Sequence, residues 1–222
     1  MQSQTKAARS LPGMKRPSNG EPLEAARTIR LVSVDLTTHC NRQCPECCCD
    51  IPNRKGVHYP WEYFERLAPY IYGAQWVHVT GGEPTTHPQF GEFVPRFRGL
   101  FGCQKLTVWT NGFRACENPA AMGCFDTVYA TRYPDNADAI QWLVDEFNPQ
   151  LADSLHVSRS HRGSGRPCHR GLRDAAIYSD GRMFPCCIGP GIPGAHSIEL
   201  SDDWEARLLN VPLPCGECWF SR

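Results

Sequence analysis

The chain has 222 residues, enough for one good-sized core and too few for two ordinary domains. Its 23 Lys and Arg balance 23 Asp and Glu, so no net field favours a nucleic-acid or membrane partner, and a charged substrate has to be recognised locally. No apolar run has the length of a signal peptide or a membrane span; a cytoplasmic setting is expected, in which the 13 cysteines stay reduced and serve metal or catalysis rather than disulfides.

Residues 1–28 show no hydrophobic periodicity and read as a flexible leader. From Ile29 onward short β-type runs alternate with amphipathic segments. Strands are predicted at 29–36, 75–80, 105–110, 125–131 and 154–160. Helices are predicted at 61–73, with a kink at Pro69, at 88–101, where Pro95 makes the interior questionable, and at 135–147. Strands alternating with helices at this spacing form βαβ units on a parallel sheet, and right-handed crossovers curl five to six such units into an open, partial TIM-like barrel of the α/β class. AAIYSDGRMF (175–184) reads as a β-hairpin turning at Asp180-Gly181. The expected organisation is therefore a leader over 1–28, a barrel over 29–164 and a small cysteine-bearing module over 165–222.

THCNRQCPECCCD (38–50) follows the first strand and carries Cys40, Cys44 and Cys47 as C-x3-C-x2-C. In a parallel α/β fold ligands bind where strands end, so this loop lies at the active edge. Three thiolates on one short loop can wrap one face of an iron–sulfur cube and leave the fourth iron open for chemistry. The same thiols suit zinc if His39 or Cys48 supplies a fourth ligand. Gly81-Gly82-Glu83-Pro84 follows the second strand; two glycines allow a close backbone approach to a small ligand, and the Glu83 carboxylate could accept from an ammonium group. The third strand runs into Thr110-Asn111-Gly112.

C-x3-C-x2-C after strand one, GGEP after strand two and TNG after strand three together resemble the radical S-adenosylmethionine enzymes over about residues 29–160. The resemblance implies that Cys40, Cys44 and Cys47 ligate a [4Fe–4S] cluster whose open iron chelates S-adenosylmethionine, and that Gly81, Gly82 and Glu83, with Pro84 closing the motif, hold the methionine moiety. Asn111 and Ser158, at strand ends, are candidates for ribose or carboxylate contacts. The family usually has an aromatic residue before the third cysteine; here Glu46 stands in that place, which leaves the adenine contact unassigned.

Cys168, Cys186, Cys215 and Cys218 form a second set, C-x12-G-x4-C followed by a terminal C-x2-C. Four cysteines so divided could bind zinc. Beside a first iron–sulfur loop, the spacing resembles the shortened auxiliary-cluster module called twitch, a reduced SPASM domain, and most closely the radical dehydrogenases that oxidise an aminocyclitol alcohol. That resemblance implies a second [4Fe–4S] cluster as electron acceptor, a small-molecule substrate, and an external one-electron donor of the flavodoxin or ferredoxin type. The expected reaction is two-electron oxidation of an alcohol carbon. An epimerase with Cys187 as hydrogen donor is the alternative, followed by a peptide-modifying enzyme and, remotely, a zinc-binding interaction module.

Arg159, in the basic stretch 158–171, is a candidate for clamping an anionic group, with Arg132 and Tyr133 placed similarly after strand four. Cys48, Cys49, Cys103, Cys116 and Cys124 read as packing or surface thiols. His58, His78 and His87 lack ligand spacing and read as structural or exposed.

Overall fold

A computed structural model describes residues 30–44, 47, 49, 51–53, 55–153, 174–177, 182–184 and 197–209. Strands β1 (Leu31–Thr37), β2 (Trp76–Gly81), β3 (Lys105–Thr110), β4 (Thr127–Arg132) and β5 (Gln150–Asp153) lie side by side, each parallel to the one before. Helices α1 (Trp61–Ile71), α2 (Phe90–Phe101), α3 (Pro119–Met122) and α4 (Ala137–Phe147) make the crossovers. Because successive strands add in one direction, right-handed crossovers put these helices on one face of the sheet. The sheet is open, in the order β5-β4-β3-β2-β1-β6-β7-β8, where β6 is Asp174–Ile177, β7 Arg182–Phe184 and β8 Ile198–Glu199.

The buried core forms between sheet and helices. Val32, Val34 and Leu36 of β1, Val77 and Val79 of β2, Leu106 and Val108 of β3, and Val128 and Ala130 of β4 meet a phenylalanine-rich layer that includes Phe64, Phe93, Phe97 and Phe101. Each such side chain contributes about 1.5–3 kcal/mol on full burial. Trp61 locks α1 to α2 by stacking on Phe97 at 6.0 Å, and Phe64 packs on the same ring at 5.0 Å. Pro95 does not interrupt α2. The lost backbone bond is outweighed by Phe90, Phe93, Val94, Phe97 and Phe101, which all bury from that helix.

Two elements differ from the sequence reading. The fifth parallel strand is Gln150–Asp153, upstream of the predicted 154–160 segment, which lies outside the described residues. Its sequence QLAD has no run of β-branched residues, and as an edge strand it leaves Leu151 37% exposed; its place comes from pairing with β4 rather than from propensity. The hairpin strands β6 (Asp174–Ile177) and β7 (Arg182–Phe184) pair antiparallel as expected, but β6 also pairs parallel with β1. The hairpin therefore continues the main sheet, and β8 (Ile198–Glu199) extends it from β7. Helix α5 (Trp204–Leu209) returns to the core, where Trp204 Nε1 donates to the Tyr70 carbonyl at 3.1 Å. No helix among the described residues is long and apolar enough to cross a membrane.

Candidate active site

The C-terminal ends of β1 to β4 form one hydrogen-bonded rim, and the first cysteine loop is its first member. Where β1 ends, the loop base is fastened to residues 55–58. Thr37 Oγ1 donates to the Val57 carbonyl at 2.9 Å, Thr38 Oγ1 donates to the Lys55 carbonyl at 2.8 Å, and Thr38 N donates back to Val57 at 2.8 Å. His39 stacks on His58 at 4.2 Å, and His58 meets the buried His87 edge-on at 5.1 Å. Burial and then the neighbouring His39 and His87 push His58 down to about 4, so this ring is neutral near pH 7 and acts in packing. The reading of His58 and His87 as structural agrees with this placement.

The glycine pair lets two backbone segments pack against each other. Gly82 N donates to the Thr37 carbonyl at 2.7 Å, and Glu83 N donates to the His39 carbonyl at 2.7 Å, so the backbone of the β2 turn runs against the backbone leading to Cys40. A Cβ on Gly81 would lie 2.1 Å from the Thr37 oxygen, and one on Gly82 would lie 2.0 Å from the His39 oxygen. Gly81 also has φ +125°, where a side chain is strained. What comes close to these glycines is the cysteine loop itself.

Glu83 is 1% exposed. Its Oε1 accepts from Thr85 N at 3.1 Å, Thr85 Oγ1 at 2.7 Å and Thr110 Oγ1 at 2.7 Å, and its Oε2 accepts from Asn111 N at 2.6 Å. Burial raises this carboxyl, and the bonds from Asn111, Thr110 and Thr85 pull it back towards the ionised form. In this geometry the carboxylate is a strut between the ends of β2 and β3. It also caps the short turn Pro84–Thr86, where Pro84 supplies the first position. Glu83→Ala is expected to lower stability by about 3 kcal/mol, because each buried donor left without an acceptor costs about 1–3 kcal/mol and the Asn111 amide cannot turn away. Chemical denaturation measures it; a loss below about 1 kcal/mol would show that water replaces the carboxylate.

Asn111 and Asn136 carry the rim onward. Asn111 Nδ2 donates to Asn41 Oδ1 in the cysteine loop at 2.7 Å, and its own Oδ1 accepts from Phe113 N at 3.2 Å. Asn136 Nδ2 donates to the Asn111 and Thr131 carbonyls at 2.7 and 2.9 Å, and its Oδ1 accepts from Tyr133 N at 2.8 Å. Asn111, the candidate for a cofactor contact, thus has both ends of its amide engaged with the protein.

Cys40, Cys44 and Cys47 are all half-buried on the loop, within electrostatic reach of one another. Burial pushes Cys40 up to about 11, helped by the charges of Glu83, Cys44 and Cys47 and opposed by the Arg42 amide, which donates to its Sγ at 3.4 Å. Three thiolates here would repel one another and Glu83 unless cationic metal sat among them, so the donor set suits an iron–sulfur cluster. Among the described residues no group of three His, Cys, Asp or Glu side chains is placed to hold a single metal ion. His39, the possible fourth zinc ligand, is stacked on His58. Cys44 Sγ lies 3.7 Å from Tyr133 Oη. Over the same ring, 3.9 Å from its centroid, lies the Arg42 guanidinium, which Asp135 holds through both carboxylate oxygens at 2.8 and 2.9 Å.

Ser158, Arg159, Cys168, Cys186, Cys187, Cys215 and Cys218, with Glu46 and Cys48, lie outside the described residues. The sequence reading missed Asn41, Arg42, Asp135 and Asn136, whose partners are mostly distant in the chain. It also missed the character of the sheet face opposite the helices. Alternation puts Ser33, Asp35, His78, Thr107, Trp109, Tyr129 and Thr131 there. Trp109 stacks on Tyr129 at 5.5 Å and donates from Nε1 to Thr131 Oγ1 at 2.7 Å, while His78 Nδ1 and Thr107 Oγ1 are 2.7 Å apart. His78, taken as bland, belongs to a polar and aromatic surface below the rim; the signal was the polar residue at every second position of β1 to β4.

No protein-family model matches the chain. Solved structures do. The crystal structure of BtrN in complex with AdoMet and 2-DOIA superposes with a TM-score of 0.58 and 12% identity, over 82% of this chain and 82% of that one. A selenomethionine form of BtrN in an open conformation gives 0.54 and 14% identity, over 83% and 81%. Streptococcus suis SuiB bound to S-adenosylmethionine gives 0.48 and 12% identity, over 88% and 72%. The similarity to BtrN establishes the fold class as an open mixed α/β sheet of the kind described above.

Proposed function

We propose that the chain is a radical S-adenosylmethionine enzyme acting on a small polar molecule. The observation that carries this reading is the attachment of the cysteine loop to the Gly81-Gly82-Glu83 turn, two backbone hydrogen bonds that set three half-buried thiols beside a shaped backbone wall at the strand ends. Similarity in fold to BtrN, crystallised with AdoMet, supports it. Cys40, Cys44 and Cys47 would hold a [4Fe–4S] cluster, and the methionine moiety of S-adenosylmethionine would lie against the glycine turn. When bound, the cluster supplies one electron that splits the sulfonium into methionine and a 5'-deoxyadenosyl radical, which removes a hydrogen atom from substrate.

The chain's own part is to hold the cofactor and the substrate carbon near each other and keep bulk water out. We place the substrate over the face bearing Asp35, His78, Trp109 and Tyr129, with Ser158 and Arg159 as further contacts. The reaction best suited to the cysteine pattern is oxidation of an alcohol. Cys168, Cys186, Cys215 and Cys218 would hold a second cluster able to accept the one electron that, with one proton passed to a base, the carbinol carbon must lose after hydrogen abstraction to become a ketone. An external one-electron donor would supply the first cluster.

Anaerobic reconstitution followed by incubation with S-adenosylmethionine and dithionite tests this. About eight irons per chain and release of 5'-deoxyadenosine are expected. Stoichiometric zinc without iron would overturn the reading. With a panel of aminocyclitols and sugars, a ketone product supports oxidation. Solvent deuterium in an otherwise unoxidised product, lost in Cys187→Ala, would make the enzyme an epimerase instead.

A further inference from the structure

The rim brings one more group to the cysteine loop, from β4, three strands along the sheet from β1. Tyr133 follows β4, and its hydroxyl lies 3.7 Å from Cys44 Sγ, across 89 residues of chain. A cysteine bound to iron is a thiolate with no proton to give, so in this contact the phenol must be the donor. The ring and backbone that carry the hydroxyl are also held from several sides. Arg42 covers the ring at 3.9 Å, the bidentate ion pair with Asp135 holds Arg42, and Asn136 Oδ1 accepts from Tyr133 N at 2.8 Å. Arg42 sits two residues before Cys44 and Asp135 two after Tyr133, so the ion pair clamps the two segments that must stay in contact. Cys40 receives the Arg42 amide at 3.4 Å, while Cys44 is approached by the Tyr133 hydroxyl and also by the Arg42 side chain.

Resting on the reading of the site as an iron–sulfur centre, we propose that Tyr133 raises the reduction potential of the first cluster by hydrogen bonding to the Cys44 thiolate, beside the Arg42 side chain that reaches the same sulfur, and that Asp135 is a positioning residue for both. A donor to a coordinating sulfur withdraws electron density and stabilises the more negative, reduced form, which raises the potential. Tyr133 therefore makes the cluster easier for an external donor to reduce, at the cost of a weaker push into the sulfonium. Removing the hydroxyl while keeping the ring reverses both.

The test is a potentiometric titration of the full-length, reconstituted protein, following the electron paramagnetic resonance signal that changes on adding S-adenosylmethionine. Tyr133→Phe is expected to keep its iron and shift the midpoint to a more negative value, whereas Tyr72→Phe, at an exposed site, leaves it unchanged. Replacing Tyr133 by 3-fluorotyrosine, a more acidic phenol of nearly the same shape, is expected to shift the midpoint the other way, a change of sign that a packing role would not produce. An iron-replete Tyr133→Phe protein with the wild-type midpoint, or a fluorinated protein shifted negative, overturns the inference alone. Wild-type protein that takes up no iron and shows no signal sensitive to S-adenosylmethionine overturns the reading of the site, and this inference with it.

Discussion

Cys40→Ala, Cys44→Ala and Cys47→Ala are each expected to abolish 5'-deoxyadenosine release and to leave about four irons per chain, those of the second cluster, where the wild type holds about eight. The reason is stoichiometric. A cube with one open iron has only three protein thiolates, and loss of any one leaves two irons without a protein ligand at a half-buried site. Under the proposed function Cys215→Ala or Cys218→Ala is expected also to leave about four irons but to retain some cofactor cleavage and lose the oxidised product, because these residues would hold the electron-accepting cluster. Cys116→Ser, at an exposed site, retains both iron and activity. Iron analysis paired with chromatography of 5'-deoxyadenosine separates the classes. Equal loss of cleavage in both cysteine sets would mean that the second cluster is needed to build the first site, and a Cys44→Ala protein with full iron and full cleavage would remove Cys44 from the ligand set.

The letters of the motifs were legible in the sequence because the chemistry they encode is local. Cys40, Cys44 and Cys47 lie within eight residues, and the glycines and Glu83 are consecutive. The first four parallel strands were legible for a similar reason, since buried strands of a parallel sheet read as short apolar runs, whereas β5, a four-residue edge strand, lies upstream of the predicted 154–160 segment, which is outside the described residues. What the side chains do was less legible, because it depends on contacts across strands. Glu83 reaches Thr110 and Asn111 across 27 and 28 residues, Asn111 reaches Asn41 across 70, and Arg42 reaches Asp135 across 93. No local periodicity encodes those separations. A carboxylate after two glycines looked like a ligand for an ammonium group, whereas four protein donors converge on it. The parallel pairing of β6 with β1 was hidden in the same way, since a hairpin signal states how two strands pair with each other and not which sheet edge receives them.

Gly82→Ala is expected to be the most damaging single-atom addition at the site. The new Cβ would sit 2.0 Å from the His39 oxygen and 2.5 Å from the His39 carbonyl carbon, positions fixed by backbone on both sides, so no side-chain rotation relieves the overlap. Relief requires the two segments to part, which breaks the 2.7 Å bond from Glu83 N to His39 and strains the adjacent 2.7 Å bond from Gly82 N to Thr37. Overpacking costs about 1–3 kcal/mol and the lost hydrogen bond about 1 kcal/mol, for a total of about 2–4 kcal/mol. In a chain of this size the melting temperature then falls by about 4–16 °C. The functional effect is larger than the stability effect, because the parting moves Cys40, the residue after His39, while Cys44 stays clamped through Arg42 and Asp135. Iron uptake at the first site should therefore fall even at temperatures where the protein remains folded by circular dichroism. Gly99→Ala, in α2 with open space around its Cβ, is the matched control and should leave iron uptake unchanged. A Gly82→Ala protein that binds iron and melts like the wild type would mean that the turn and the cysteine loop are not held together as described, and would remove the main support for the proposed site.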